Sequence, residues 1–438
     1  MSASGPNSHA CPAPVGAGTP ADLDCADPLA RFREEFFLPA GKIYLDGNSL
    51  GLLSRRAEAS LLRVVDQWRT LGIDAWLKAD PPWLALPETV AARLAPCVGA
   101  AADELCLTGQ TTANLHQLLA TLFQPEAASG RTVILGDALN FASDRYALQS
   151  HLRLRGLDPA RHLRLVPSRD GRMLRLDELL DAFTDDVQLA VMPSVIFSSG
   201  QLLDVTTLTR KARERGIVIG WDLSHSIGAV PHALDRDGVD FAFWSNYKWL
   251  NGGPGAIGGL YLNRRHFGRS PGLAGWWGVR PERRFAMPEQ HEAANGAAAL
   301  HIGTPHILSL APLLGALDLI AEAGGVEALR AKSLALTEFL LERIDAQLAP
   351  LGFVVASPRG HLARSGHVAV AHRDAWRICQ ALKAEGVVPD FREPDLIRLA
   401  PAPLTTSFAE CAEAIDRMKG IVETRAYERY PAHASLVP

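Results

Sequence analysis

The chain has 438 residues, enough to bury a large core and to divide into a larger and a smaller domain. Its 44 basic and 48 acidic residues leave a net charge of −4, so no global field favours nucleic acid. No window approaches about 18 uninterrupted apolar residues, which argues against a membrane span; the six cysteines, without CxxC or histidine-paired spacing, read as reduced thiols in a cytoplasmic protein with no metal site.

Residues 1–25 are rich in Pro, Gly, Ala and Ser and lack a basic stretch followed by an apolar core. They predict a disordered lead-in rather than a signal peptide. Pro28–Phe37 has the pattern of a short amphipathic helix. Lys42–Leu45 reads as a strand running into Asp46-Gly-Asn-Ser-Leu-Gly51, where glycines and Asn48 permit tight turns, and then the helix Arg55–Leu71. The strand Glu104–Thr108 leads into Gly109-Gln-Thr-Thr-Ala-Asn-Leu-His116 and a helix to Phe123. Small hydroxyl residues at a helix start either cap it or offer oxygens and free N–H groups to an anion, and spacing leaves both readings open. Strand Arg131–Gly136 ends in a loop, Asp137–Asp144, whose Phe141 taken alone reads as core. Helices Arg145–Leu154, Leu176–Ala182 and Val205–Arg215 then alternate with strands His162–Val166 and Gln188–Met192. That alternation predicts βαβ units and a mostly parallel sheet covered on both faces.

Ile217–Trp221 is a continuous apolar run closed by Asp222, the signature of a buried parallel strand. A second run, Asp240–Trp244, ends in Ser245-Asn-Tyr-Lys248; glycines 252, 253 and 255 loosen the chain before a third strand, Ala256–Leu262. Open α/β sheets bind ligands beyond strand C-termini, so the acid and the lysine can converge. Pyridoxal 5′-phosphate needs this pair, a lysine for its Schiff base and a carboxylate to keep its ring nitrogen protonated. Tyr247 and Trp249 would desolvate the amine. The alternative is a helix cap and a solvated charge, and His225 by itself reads as a surface histidine. Paired tryptophans in Gly272–Gly278 must pack against something. His301–Pro305, long helices Ile307–Glu322 and Gly325–Gln347, and a second set of strands (Phe353–Ala356, His367–Ala371) follow, with a helix Arg373–Glu385 and the segment Val387–Leu399. The guanidinium fork of Arg398 suits a carboxylate ligand, or else an ion pair with Glu393 or Asp395. The last helix is Phe408–Arg425, and the tail from Tyr430 reads as frayed.

YLDGNSLG (44–51), WDLSHSIGAV (221–230), VDFAFWSNYKWLNGGPG (239–255) and GVVPDFREPDLIRLAPAPLTTSF (386–408) together resemble the kynureninases, fold-type I pyridoxal-phosphate enzymes. The likeness covers nearly all of the chain outside its tails. It implies an α/β, transferase-like fold: a segment 26–60 packing with the small domain, a large cofactor domain 61–325 with a mostly parallel sheet, a small α+β domain 326–430 and a tail 431–438.

Residue by residue, the resemblance implies that Lys248 carries the cofactor and moves protons, and that Asp222 partners the ring nitrogen. Tyr247 would bind phosphate and relay a proton. Thr111 and Thr112 would cradle the phosphate, Phe141 stack on the ring, and Asp144 and His225 support the site. Arg398 would hold the substrate α-carboxylate, with Asn48 close by. The family is homodimeric with shared active sites, so Trp276 (or Trp277) and Thr304 would reach the neighbour's phosphate. The implied reaction is hydrolysis of L-kynurenine to anthranilate and L-alanine in tryptophan catabolism. Members preferring 3-hydroxykynurenine carry a His and an Asn near the substrate ring. Here Thr304 stands at the second position and no His lies between Trp68 and Trp83, which implies preference for unsubstituted kynurenine. Two rivals are a cysteine desulfurase, which needs a nucleophilic cysteine on a mobile loop, and a non-catalytic cofactor-binding protein. No cysteine lies between Cys106 and Cys379, and both lysine and acid are present.

Overall fold

Buried apolar runs, each closed by a polar or glycine-containing break, set the strands. The structure, a computed structural model, describes residues 18–432. After a two-residue strand β1 (Ile43–Tyr44) come β2 (Leu105–Leu107), β3 (Val133–Asp137), β4 (Leu163–Val166), β5 (Val187–Pro193), β6 (Val218–Asp222), β7 (Phe241–Trp244) and β8 (Gly259–Leu262). These last seven form one sheet in the order β2-β8-β7-β6-β5-β3-β4. Only β8 runs against its neighbours.

Residues of β7 alternate between two cores, as the strand period requires. Phe241 and Phe243 pack with Leu115, Leu118 and Leu148 of the helices Thr111–Leu122 and Ala142–Leu154. Ala242 and Trp244 face the other side, with Leu313 and Leu317. Burial of both faces explains the uninterrupted apolar runs.

The smaller C-terminal unit adds β9 (Val354–Val355), β10 (Val368–Ala371), β11 (Val387–Val388), β12 (Asp390–Arg392) and β13 (Leu396–Leu399). Four of them form an antiparallel sheet, β12-β13-β10-β9, while β11 pairs in parallel with β1. The register Asp390↔Arg398 places Asp390, Arg392 and Arg398 on one face of the β12–β13 pair. A buried ion pair, Lys332 to Asp27 at 2.6 Å, ties the N-terminal segment to the helix Gly325–Arg343. No single helix among the described residues is long and apolar enough to cross a membrane.

Several expectations are corrected. Residues 1–17 lie outside the described residues, but part of the expected disordered lead-in is a helix, Pro20–Ala26. Thr19 and Asp22 form its capping box and proline opens its first turn, a signal present in the sequence. Pro28–Phe37 is not an α-helix but a 3₁₀ turn over Ala30–Glu35. The helix expected to reach Gln347 ends at Arg343 and passes into a π turn, Ile344–Leu348. The strand expected from Ala256 starts only at Gly259.

Helices Arg55–Leu71 and Ile307–Glu322 cross closely because Gly315 has no side chain; a Cβ there would lie 2.2 Å from the Arg56 carbonyl oxygen. Gly315→Ala is expected to cost about 1–3 kcal/mol of stability, since backbone rather than a flexible side chain must move. Thermal unfolding measures this, and an unchanged midpoint would contradict the close crossing.

Candidate active site

The C-terminal ends of β2, β3, β5, β6 and β7 open onto one cavity of about 460 Å³. Parallel strands make this convergence automatic, because every strand delivers its last residues to the same edge. Asn48 and Ser49 of the N-terminal turn and Arg392 of β12 complete its walls.

Lys248 follows β7, and its Nζ donates to Ser245 Oγ at 3.1 Å and stands 5.1 Å over the Tyr247 ring. Burial pulls the ammonium down to about 8, against the attraction of Asp222 and with the help of Arg398 and Arg392. Asp222 ends β6, buried, with Oδ1 accepting from the Ser224 N–H at 2.8 Å. Burial raises its carboxyl, opposed by Lys248 and Ser224. Asp144 is buried too, accepts from Asn140 Nδ2 at 3.1 Å, and is pushed well above the usual range by burial and then by Asp222. One lysine thus faces two buried acids.

Thr111 and Thr112 open the helix after β2, line the cavity, and sit half-buried. Gln110 is the N-cap and makes no side-chain cap hydrogen bond, so the capping reading is not what these residues do. The helix therefore presents uncapped N–H groups and two hydroxyls to an anion. Phe141 is 49% exposed rather than core; its ring lines the cavity and meets Phe197 edge-on at 5.6 Å. Phe197 in turn lies 6.2 Å from the His225 ring. Burial, then Lys248 and Arg398, hold His225 neutral, and its buried Nδ1 has no partner among the described residues. Burial raises the Tyr247 hydroxyl, opposed by the neighbouring Ser245, which also receives Lys248. Asn48 is fully buried with both amide atoms unpartnered.

Three expected residues stand apart from this cavity. Trp276 donates to the Arg284 carbonyl at 2.8 Å, Thr304 is exposed, and neither lines the pocket. Arg398 is fully buried behind the wall. Its Nε donates to Asp390 Oδ2 at 2.6 Å, Nη1 to the Phe197 carbonyl at 2.6 Å and Nη2 to Ser49 Oγ at 3.1 Å. The ion pair considered with Glu393 or Asp395 is instead with Asp390; Asp395 holds Arg172 at 2.9 Å. Ser245 and Arg392 were not singled out from sequence. Ser245 carried a signal, its place three residues before the lysine on the strand exit.

Gly51 fixes the lysine's backbone. Its N–H donates to the Tyr247 carbonyl at 2.8 Å, and a Cβ there would fall 2.3 Å from the Lys248 carbonyl oxygen.

Known proteins similar to this chain show its family. A kynureninase from Geobacillus thermodenitrificans is 50% identical over 415 residues, covering 95% of this chain and 96% of the relative. The chain belongs to the kynureninase family. The kynureninase of Bacillus anthracis is 49% identical over 416 residues with the same coverage, and the family's C-terminal domain matches residues 329–418. Among solved structures, a mutant of C-DES with glycine covalently linked to its PLP cofactor superposes with a TM-score of 0.77 at 19% identity, covering 88% of this chain and 98% of that one. The apo cysteine desulfurase of Thermococcus onnurineus gives 0.75 at 18% identity, covering 90% and 98%. At such identities these two establish the fold alone. Where the desulfurase rival needs a cysteine on a mobile loop, Cys106 is buried in β2 and Cys379 in the helix Ala375–Ala384. No described cysteine lines the cavity of this kynureninase-family chain.

Proposed function

We propose that the enzyme hydrolyses L-kynurenine to anthranilate and L-alanine, using pyridoxal 5′-phosphate held in the strand-end cavity. The observation that carries this reading is the convergence of Lys248, its ammonium lowered to about 8, with buried Asp222 beside a half-exposed aromatic ring and an uncapped helix start. That donor set fits the cofactor group by group: an amine for its aldehyde, an acid for its ring nitrogen, a ring face for stacking and N–H groups for its phosphate.

When bound, the cofactor supplies an electron sink for bond breaking next to the amino acid's Cα. Thr111, Thr112 and Tyr247 would hold its phosphate, Phe141 would stack on its ring, and Asp144 and His225 would support the site. Asp222 would keep its ring nitrogen protonated. Lys248 takes the proton from the substrate Cα, its lowered pKa placing a free amine within reach of neutral pH. Tyr247 would relay a proton. Arg398 would hold the α-carboxylate through Nη2, which here contacts both Ser49 Oγ and the Asp390 carboxylate. Water is consumed across the Cβ–Cγ bond: hydroxyl goes to the γ-carbonyl carbon, giving anthranilate, and hydrogen to Cβ, giving alanine.

The proposal includes a homodimer in which Trp276 and Thr304 reach the neighbour's site. Supporting it, Trp68, Ile73, Leu77, Phe285, Met287 and Ile302 expose between 46% and 81% of their surface, an apolar load that a monomer would leave in water.

The purified protein supplied with cofactor is expected to show a visible absorbance band and to release fluorescent anthranilate from L-kynurenine. With Thr304 in place of an amide at the substrate ring, kcat/KM for kynurenine should exceed that for 3-hydroxykynurenine by about tenfold, the worth of roughly one hydrogen bond. Equal values would remove the preference, and absence of anthranilate would remove the reaction.

A further inference from the structure

We propose that Arg392 is a second anchor for the substrate carboxylate, working beside Arg398 at the cavity wall. The inference rests on the reading of the cavity as a kynurenine site and adds a residue to it.

The two arginines share one carboxylate. Asp390 Oδ2 accepts from Arg398 Nε at 2.6 Å and from Arg392 Nε at 2.8 Å. Beyond that they differ. Arg398 is enclosed, with all three nitrogens donating to protein. Arg392 lines the cavity, its side chain 34% exposed on the edge strand β12, and its two terminal nitrogens make no hydrogen bond among the described residues. Thus the free edge of a guanidinium fork turned to the cavity belongs to Arg392.

Its surroundings suit an anion. The Phe197 ring lies 5.9 Å from its guanidinium carbon and supports the plane of the fork. Asn48 and Ser49 stand on the same wall, the former with a buried, unpartnered amide. Asp390 fixes Arg392 through Nε, so the remaining donors are held in place before a ligand arrives. A carboxylate has two oxygens and about four acceptor sites, enough to take Arg398 Nη2 on one oxygen and Arg392 on the other. A role as a mere counter-ion for Asp390 would need only the Nε contact and no exposure to the cavity.

The test uses the cofactor-loaded protein and two substrate-like probes without an amino group, 3-benzoylpropionate and its carboxamide, with binding read by calorimetry. Arg392→Gln is expected to weaken the acid about tenfold and the amide less than about twofold, because only the acid loses a charge-assisted contact. Arg392→Lys, which keeps the charge but not the fork, should recover part of the loss for the acid alone. Equal loss for both probes would make Arg392 a structural residue, and no loss for either would place it outside the site; each result overturns the proposal. Wild-type protein releasing no anthranilate from kynurenine would instead overturn the underlying reading, whatever the probes show.

Discussion

Lys248→Ala is expected to lower anthranilate release by about 10³-fold or more, since it removes nucleophile and proton carrier at once. The fold should survive. The side chain makes one hydrogen bond, to Ser245, and its loss leaves Asp222 and Asp144, both already raised by burial, to hold protons rather than charge. Steady-state fluorescence of anthranilate measures the first expectation and thermal unfolding the second. Turnover within tenfold of wild type would sink the assignment of Lys248.

Asp222→Asn should cost about 10²–10³-fold in kcat, the range for losing one pre-placed electrostatic partner of the reacting group. The amide keeps the shape and, through Oδ1, can still accept the Ser224 N–H that the carboxylate accepts at 2.8 Å, so a large loss reports charge rather than disorder. On the proposed reading, what disappears is the negative charge that would face the cofactor's ring nitrogen. The visible absorbance of the loaded variant should shift as that nitrogen loses its proton. A variant with unchanged kcat and unchanged spectrum would assign Asp222 to structure alone.

Both residues were legible in the sequence for a physical reason. A parallel strand buried on both faces must be apolar until it ends, so the first polar residues, Asp222 after Trp221 and Ser245 to Lys248 after Trp244, mark the edge where ligands bind. The helix start at Thr111 was ambiguous because capping and anion binding use the same residue types, and only the observed N-cap, Gln110, separates them. Arg392 was hidden for another reason. In sequence it stands two residues after Asp390 in a stretch broken by Glu393-Pro394, and nothing local says that it shares a face with Arg398. The β12–β13 register supplies that fact, and with it the true partner of Arg398. The neighbours in the large sheet were equally unreadable: β2 lies beside β8, a pairing across more than 150 residues that no short motif encodes. The helix Pro20–Ala26 lies in a stretch whose composition suggests disorder, yet its capping box, Thr19 with Asp22, is written in the sequence.

The contact of Gly51 with Tyr247 and Lys248 has a consequence for how the site comes into being. The backbone that carries the amine is braced by a turn about two hundred positions earlier, while the guanidinium wall comes from a strand well over a hundred positions later. No contiguous piece of the chain much shorter than Asp46 to Arg398 contains every part of the pocket. Ligand binding is therefore a property of the finished tertiary structure: contacts of such long range close late, after local helices and strand pairs have formed. A cofactor captured by this protein is a report that both ends of the chain have already met.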